Sequence, residues 1–117
     1  MAAYVVVDIE VFEPVEYEEY KKLAAPTVTA YGGRYVVRGG ATEVLEGDWV
    51  PNRLVVLEFP TVAQAQAWCA SPEYSVAKAI RQRTARTNMV LVAGMSGESR
   101  RDHDCTDVAR RDAAGQS

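Results

Sequence analysis

A chain of 117 residues, 48% hydrophobic and 25% charged, is sized and composed for one soluble globular domain. Its formal charge of −3, from 13 basic and 16 acidic residues, disfavours nucleic acid as a partner, because phosphate recognition runs on clustered positive charge. No apolar run approaches the roughly 18 residues of a membrane span, and no basic stretch precedes an apolar one near Met1, so no membrane partner and a cytoplasmic location are expected.

The first alternating run, Tyr4 to Val11, reads as a strand. Val5, Val7, Ile9 and Val11 share one face, and Tyr4, Val6, Asp8 and Glu10 the other. Pro14 suits the first turn of a helix, whose positive end is crowded by Glu13, Glu16, Glu18 and Glu19. Tyr17, Tyr20 and Ala24 then recur at helical spacing. Both tyrosines read as core, although a phenol on either would tip easily toward a cleft. Pro26 has no N–H for the Lys22 carbonyl and should kink or restart the helix. Gly32 or Gly33 should close it in the left-handed conformation.

A second strand follows at about Arg34 to Arg38. After Gly39-Gly40 an extended segment through Glu46 continues as an arm or hairpin, and Asn52 to Phe59 forms the third strand. Thr61-Val62-Ala63-Gln64 fits a capping box, opening a short helix with Val62, Ala65, Trp68 and Cys69 on one face. Ser71-Pro72-Glu73 restarts a helix, with Arg81, Arg83 and Arg86 near its negative end. Trp68 and Tyr74 read as core residues of these helices. Asn88 to Ala93 is the last strand.

Composition changes after Met95. Beside alanines and Cys105, residues 96–117 hold a single apolar residue, Val108, too little to offset ordering the backbone. The expected organisation is a folded domain at 1–95 and a disordered polar tail at 96–117. Cys69 and Cys105 fall in these different settings and suggest no disulfide. The one histidine, His103, lies in the tail, so no metal site and no cofactor are expected.

The order β-α-β-β-α-β with right-handed crossovers builds an α+β, ferredoxin-like antiparallel sheet with its helices on one face. Strand parity sends Val5, Val7, Ile9, Tyr35, Val37, Val55, Leu57 and Phe59 toward the helices. Tyr4, Val6, Val36, Leu54, Val56, Met89 and Leu91 then occupy an open face of about 400 Å². A bare apolar layer of that size predicts a homodimer paired through the open sheet face. Asp8, Arg38 and Glu58 fall on the same face, either as rim ion pairs or as a polar cluster in the dimer cavity.

One ordered series of motifs carries a family resemblance. It runs Tyr17-x-x-Tyr20, Tyr31-Gly32-Gly33-Arg34-Tyr35, Arg38-Gly39-Gly40, Leu45-Glu46-Gly47, Arg53 through Phe59, Ala67-Trp68 and Ser71-Pro72-Glu73-Tyr74. Over residues 3–95 it resembles the small bacterial family numbered 1330 among domains of unknown function. The resemblance implies the dimeric α/β-barrel superfamily, which includes cofactor-free monooxygenases, muconolactone isomerases and haem-binding chlorite dismutases. A folded domain without histidine lacks the usual proximal ligand of the haem branch.

The polar residues with chemical potential are Tyr31, Arg38, Trp49 and Arg53 as ligand contacts, and Glu46 and Arg38 as catalytic candidates. Arginine offers a planar, bidentate grip on a carboxylate or enolate, and a carboxylate in an apolar cleft can act as acid or base. Glu46 in Leu-Glu-Gly-Asp fits a hydrogen-bonded turn equally well. Three functions stay open. One is a cofactor-independent enzyme, isomerase- or monooxygenase-like, acting on a small carbonyl or aromatic acid. The others are a small-ligand binding or sensing module, and a structural dimer.

Overall fold

Four strands and three helices follow one another as β1 (Ala3–Val11), α1 (Pro14–Ala30), β2 (Arg34–Arg38), β3 (Arg53–Phe59), α2 (Val62–Cys69), α3 (Pro72–Thr84) and β4 (Ala85–Ala93). This computed structural model describes residues 2–95. The expected tail, with His103 and Cys105, lies outside them. The sheet order is β2-β3-β1-β4 and every pairing is antiparallel. That is the ferredoxin-like arrangement the element order implies.

Alternation in β1 and β3 sets the layers. Val5, Val7, Ile9, Val55, Leu57 and Phe59 are buried toward the helices, where they meet Tyr17, Ala24, Val28, Ala65, Trp68, Tyr74 and Ala77. Trp68 anchors this layer. Its ring centroid stands 4.2 Å from that of Tyr74 and 5.4 Å from that of Phe59. Its indole N–H donates to the Thr27 hydroxyl at 3.0 Å, so the buried polar tip is satisfied. Each such aromatic contributes about 4–6 kcal/mol of gross burial, before entropy is subtracted.

Chain punctuation follows the local chemistry. Gly32, at φ 84°, closes α1. The Gly33 N–H donates to the Val28 carbonyl and the Gly32 N–H to that of Thr29, the paired bonds of a Schellman stop. Thr61 caps α2 by accepting from the Gln64 N–H, and Ser71 caps α3 by accepting from the Tyr74 N–H. The restart expected at Pro26 does not occur: α1 runs through it as one helix. One missing bond on an exposed side is tolerated because Ala24, Thr27 and Val28 are buried on the other.

Two further corrections concern which face residues occupy. In β2, Arg34 and Tyr35 pair with Glu58 and Leu57, but Val37 and Arg38 pair with Val56 and Val55. Val36 is thus an extra residue, a bulge, and everything after it changes side. Directly opposed residues share a face, so Val37 joins the open face and Arg38 turns to the helix side. In β4 the helix hands over directly to the strand at Ala85 rather than near Asn88. Met89 then pairs with Val7 and Leu91 with Val5, so both face the helices, while Asn88, Val90 and Val92 face outward.

The open face is organised in rows. Val37, Val56, Val6 and Val90 form a line of four valines across the whole sheet. On one side of it Arg34 contacts Glu58 at 2.6 Å, and Tyr4 donates to the same carboxylate at 3.3 Å. On the other, Asp8 accepts from the Trp49 indole and the Asn52 backbone N–H, each at 2.9 Å. These bonds fasten residues 39–52, an irregular arm, against the sheet. Of the three charges expected on this face, Asp8 and Glu58 are present and Arg38 is not.

Candidate functional site between α1 and β2–β3

The helices cover the sheet unevenly. They lie over β1, β3 and β4, whereas β2 has no buried residue. Beside that thin cover, polar side chains fill the space between α1 and the β2–β3 strands. Arg53 pairs with Ile9 and therefore points to the helix side, as does Arg38 after the bulge. Tyr35 lies in the same layer on the far side of Arg38 from Arg53, with the Arg38 guanidinium 4.2 Å from its ring centroid. From α1 come Tyr17 and Tyr20, centroids 5.2 Å apart. From α3 come Tyr74 and the buried Arg81.

These groups form one hydrogen-bonded and electrostatic neighbourhood. The Tyr20 and Tyr74 hydroxyls meet at 2.9 Å, and Arg81 Nε donates to the Tyr74 oxygen at 3.2 Å. Burial raises the Tyr17 pKa against the opposing charge of Arg53. It raises that of Tyr35 against Arg38, and that of Tyr20 together with the neighbouring Tyr74 phenol. All three therefore stay protonated at neutral pH and serve as O–H donors, not as bases.

The charge balance is the most informative property of this cluster. Four phenols surround Arg38, Arg53 and Arg81. Among the described residues the ion pairs belong to other cations, Lys21, Arg34, Arg83 and Arg86. Arg53 Nε is buried and meets no acceptor. A buried donor left unpaired costs about 1–3 kcal/mol. Such a cluster is chemically suited to an oxyanion.

Gly39 keeps this arrangement possible. Its φ is 74°, and a Cβ built on it would collide with the Arg53 guanidinium. Its N–H donates to the Leu54 carbonyl at 2.8 Å, which holds the chain close above the arginine.

The residues singled out from sequence are distributed over three places. Arg38 and Arg53 lie on the helix side of neighbouring strands. Trp49 is on the opposite face, bonded to Asp8. Burial pushes the Asp8 carboxyl up, but the bonds from Trp49 and Asn52 outweigh it and hold the pKa below the usual 3.8. Glu46 is exposed in the arm, beside a hollow of ≈ 500 Å³ that Trp49, Leu45 and Leu54 also line. Tyr31 lies at the far end of α1, where its hydroxyl donates to Glu73 at 2.9 Å; that bond raises its pKa. Tyr17, Tyr20, Tyr74 and Arg81 join the site although their spacing reads as helix core. The Tyr-x-x-Tyr spacing on a helix opposite strand-borne arginines was the available signal.

A second hollow, of ≈ 370 Å³, lies under α2 and α3 and is lined by Trp68, Cys69, Lys78, Met89 and Leu91 among others. It is mostly apolar, with Lys78 the one charged side chain on its wall. Among the described residues no cluster of three or more metal-ligating side chains occurs, and no helix is long and apolar enough to cross a membrane.

Comparison with known proteins agrees with this architecture. The family described as "Domain of unknown function (DUF1330)" matches residues 2–95. The sequence matches no curated protein. A crystal structure of a protein of unknown function from Rhodopseudomonas palustris superposes with a TM-score of 0.66 at 18% identity, over 81% of this chain and 83% of that one. SnoaB, a cofactor-independent oxygenase from Streptomyces nogalater, gives 0.57 at 13% identity over 81% and 94%. A dimeric ferredoxin-like protein of unknown function from Jannaschia gives 0.61 at 14% identity over 80% and 100%. At these identities the likeness is one of fold.

Proposed function

The chain belongs to the DUF1330 family, and we propose that it is a homodimeric enzyme, working without a cofactor, that holds a small carbonyl or aromatic acid in the cleft between α1 and β2–β3. The observation that carries this reading is the group of three arginines among four phenols with no carboxylate partner among the described residues. Preorganised positive charge in a partly desolvated cleft stabilises an oxyanion more effectively than water does. Arg38 and Arg53 are the ligand contacts of this reading. The SnoaB likeness, to an oxygenase described as cofactor-independent, supports the choice of reaction type.

The dimer in this reading forms through the open face. The valine row and the exposed Val92 are apolar surface that no helix covers. The Jannaschia neighbour, described as dimeric, supports a dimer. Leu45 and Val50 project from the arm at 89% and 70% exposure and extend the apolar surface beyond the sheet.

A second reading, a binding or sensing module, is favoured by one feature. The cleft holds no carboxylate or histidine among the described residues, so proton abstraction would have to come from the substrate's own acidity. Thermal shift with a panel of carboxylates and quinones tests both readings, followed by mass spectrometry of the mixtures. Binding with turnover supports the enzyme, and binding without turnover supports the sensor. A flat melting temperature across the whole panel overturns both.

A further inference from the structure

We infer that the hollow between α2–α3 and β4 binds a medium-chain aliphatic monocarboxylate, with Lys78 holding the carboxylate and the chain lying along Met89 and Leu91. This site is apart from the arginine cluster and does not rest on the function proposed for it.

β4 is an edge strand of the sheet. Its register turns Met89 and Leu91 to the helix side, opposite Val7 and Val5. Val5 and Val7 are each 4% exposed, whereas Leu91 is 38% exposed and Met89 half-buried. The helices therefore close over β1 and stop short of β4. The gap they leave is the hollow of ≈ 370 Å³, with Val5, Met89 and Leu91 on the sheet side and Ala65, Trp68 and Lys78 on the helix side. Its volume is in the range of small-molecule sites. Gln66 and Ala70 line it as well and are exposed, so solvent reaches it.

The chemistry of the walls selects the occupant. No carboxylate lines the hollow. Among the described residues Lys78 makes no ion pair, the four bridges using Lys21, Arg34, Arg83 and Arg86. Lys78 is half-buried, a setting in which the stem lies on apolar surface and the ammonium stays at the water boundary. One anionic head meets that cation, while a second charge deeper in would be stranded on apolar walls. A chain suits those walls better than a flat ring. The buried Trp68 ring already packs 4.2 Å from Tyr74 and 5.4 Å from Phe59, which leaves it no open face for stacking. Val5, Ala65 and Leu91 are aliphatic, and the flexible Met89 thioether adapts to a chain. At roughly 30 Å³ per heavy atom, the share of a water in the liquid, the hollow holds about twelve, enough for octanoate.

The test is calorimetric titration of the full chain with butanoate, hexanoate, octanoate, dodecanoate and octanol. Affinity should rise by up to about fourfold per added carbon as far as octanoate and level off by dodecanoate. Octanol should bind about fivefold more weakly than octanoate. Lys78→Met should remove that difference, which a merely structural lysine would not do. Ala70→Phe, a change at an exposed position, fills the hollow and should abolish octanoate binding while the circular dichroism stays that of the parent. Cys69 lines the hollow and locates the ligand: octanoate should slow its alkylation by iodoacetamide, read by peptide mass spectrometry with Cys105 as internal reference. Octanoate binding that survives Lys78→Met and Ala70→Phe but falls in Arg53→Gln assigns the acid to the arginine cluster, overturning this inference and leaving the proposed function standing. Equal octanol and octanoate affinity in the parent, or a difference that persists in Lys78→Met, overturns the role of Lys78. Unprotected Cys69 at saturating octanoate, or no binding at all, overturns the site.

Discussion

Gly39 and Arg53 meet across the β2–β3 pairing so closely that the arginine occupies the space a side chain on residue 39 would need. Two separate demands therefore fall on the glycine, its left-handed φ of 74° and the collision.

Gly39→Ala should cost about 1–2 kcal/mol for the backbone alone, and more because the guanidinium must move. Urea denaturation measures the sum. The collision vanishes in Arg53→Ala, so Gly39→Ala in that background should cost only the backbone part, a non-additivity a double-mutant cycle resolves. Strict additivity would show that the two residues do not compete for space.

Val90 is 60% exposed at the end of the valine row, so Val90→Arg should leave the single chain's stability nearly unchanged. In a face-to-face dimer the same change buries an unpaired charge in each subunit. Dimer affinity should then fall at least a hundredfold, roughly 3 kcal/mol. Sedimentation at micromolar concentration checks this: dimers for the parent chain, monomers for Val90→Arg. A monomeric parent chain would remove the dimer from the proposed function.

Thr27 supplies the acceptor for the Trp68 indole at 3.0 Å in a fully buried setting. Thr27→Val keeps the shape and leaves that N–H unpaired, which should cost about 1–3 kcal/mol in chemical denaturation. A cost near zero would mean that Trp68 finds another partner.

Asp8 links the arm to the sheet, and its folded pKa is depressed. The sign follows from linkage: a lowered carboxylate contributes stability above its unfolded pKa and loses it as pH falls through the folded value. The Trp49–Asp8 contact should thus be constant from pH 7 to about 5 and weaken below about 3.8, the ordinary value. The indole N–H resonance of Trp49, one of two tryptophans, reports it. In Asp8→Ala that resonance should sit at the low-pH position throughout; a shift persisting in the variant would assign the change to another group.

The fold was legible because β1 and β3 alternate cleanly and the helix caps are explicit in Thr61, Ser71 and Gly32. Faces were legible only where the ladder is regular. Arg38 escaped because a bulge at Val36 leaves no mark in a run of β-branched residues. Met89 and Leu91 escaped because α3 passes into β4 without turn residues to set the phase. The proposed site was half legible. Arg38 and Arg53 stood out as strand-borne charges, whereas Tyr17 and Tyr20 have the spacing of ordinary core residues. Only their proximity to unpaired guanidinium groups, a matter of tertiary packing, distinguishes them. Tyr31, Trp49 and Glu46 were drawn in by sequence proximity and lie elsewhere.

The single extra residue at Val36 has a consequence for how this chain tolerates change. Deleting it would close the ladder with Tyr35, Val37 and Arg38 still opposite Leu57, Val56 and Val55, so neither Val37 nor Arg38 would change side. The partner strand already runs straight through the register that the shortened strand would adopt. Loss of one codon at this point of the edge strand should therefore be tolerated by the sheet.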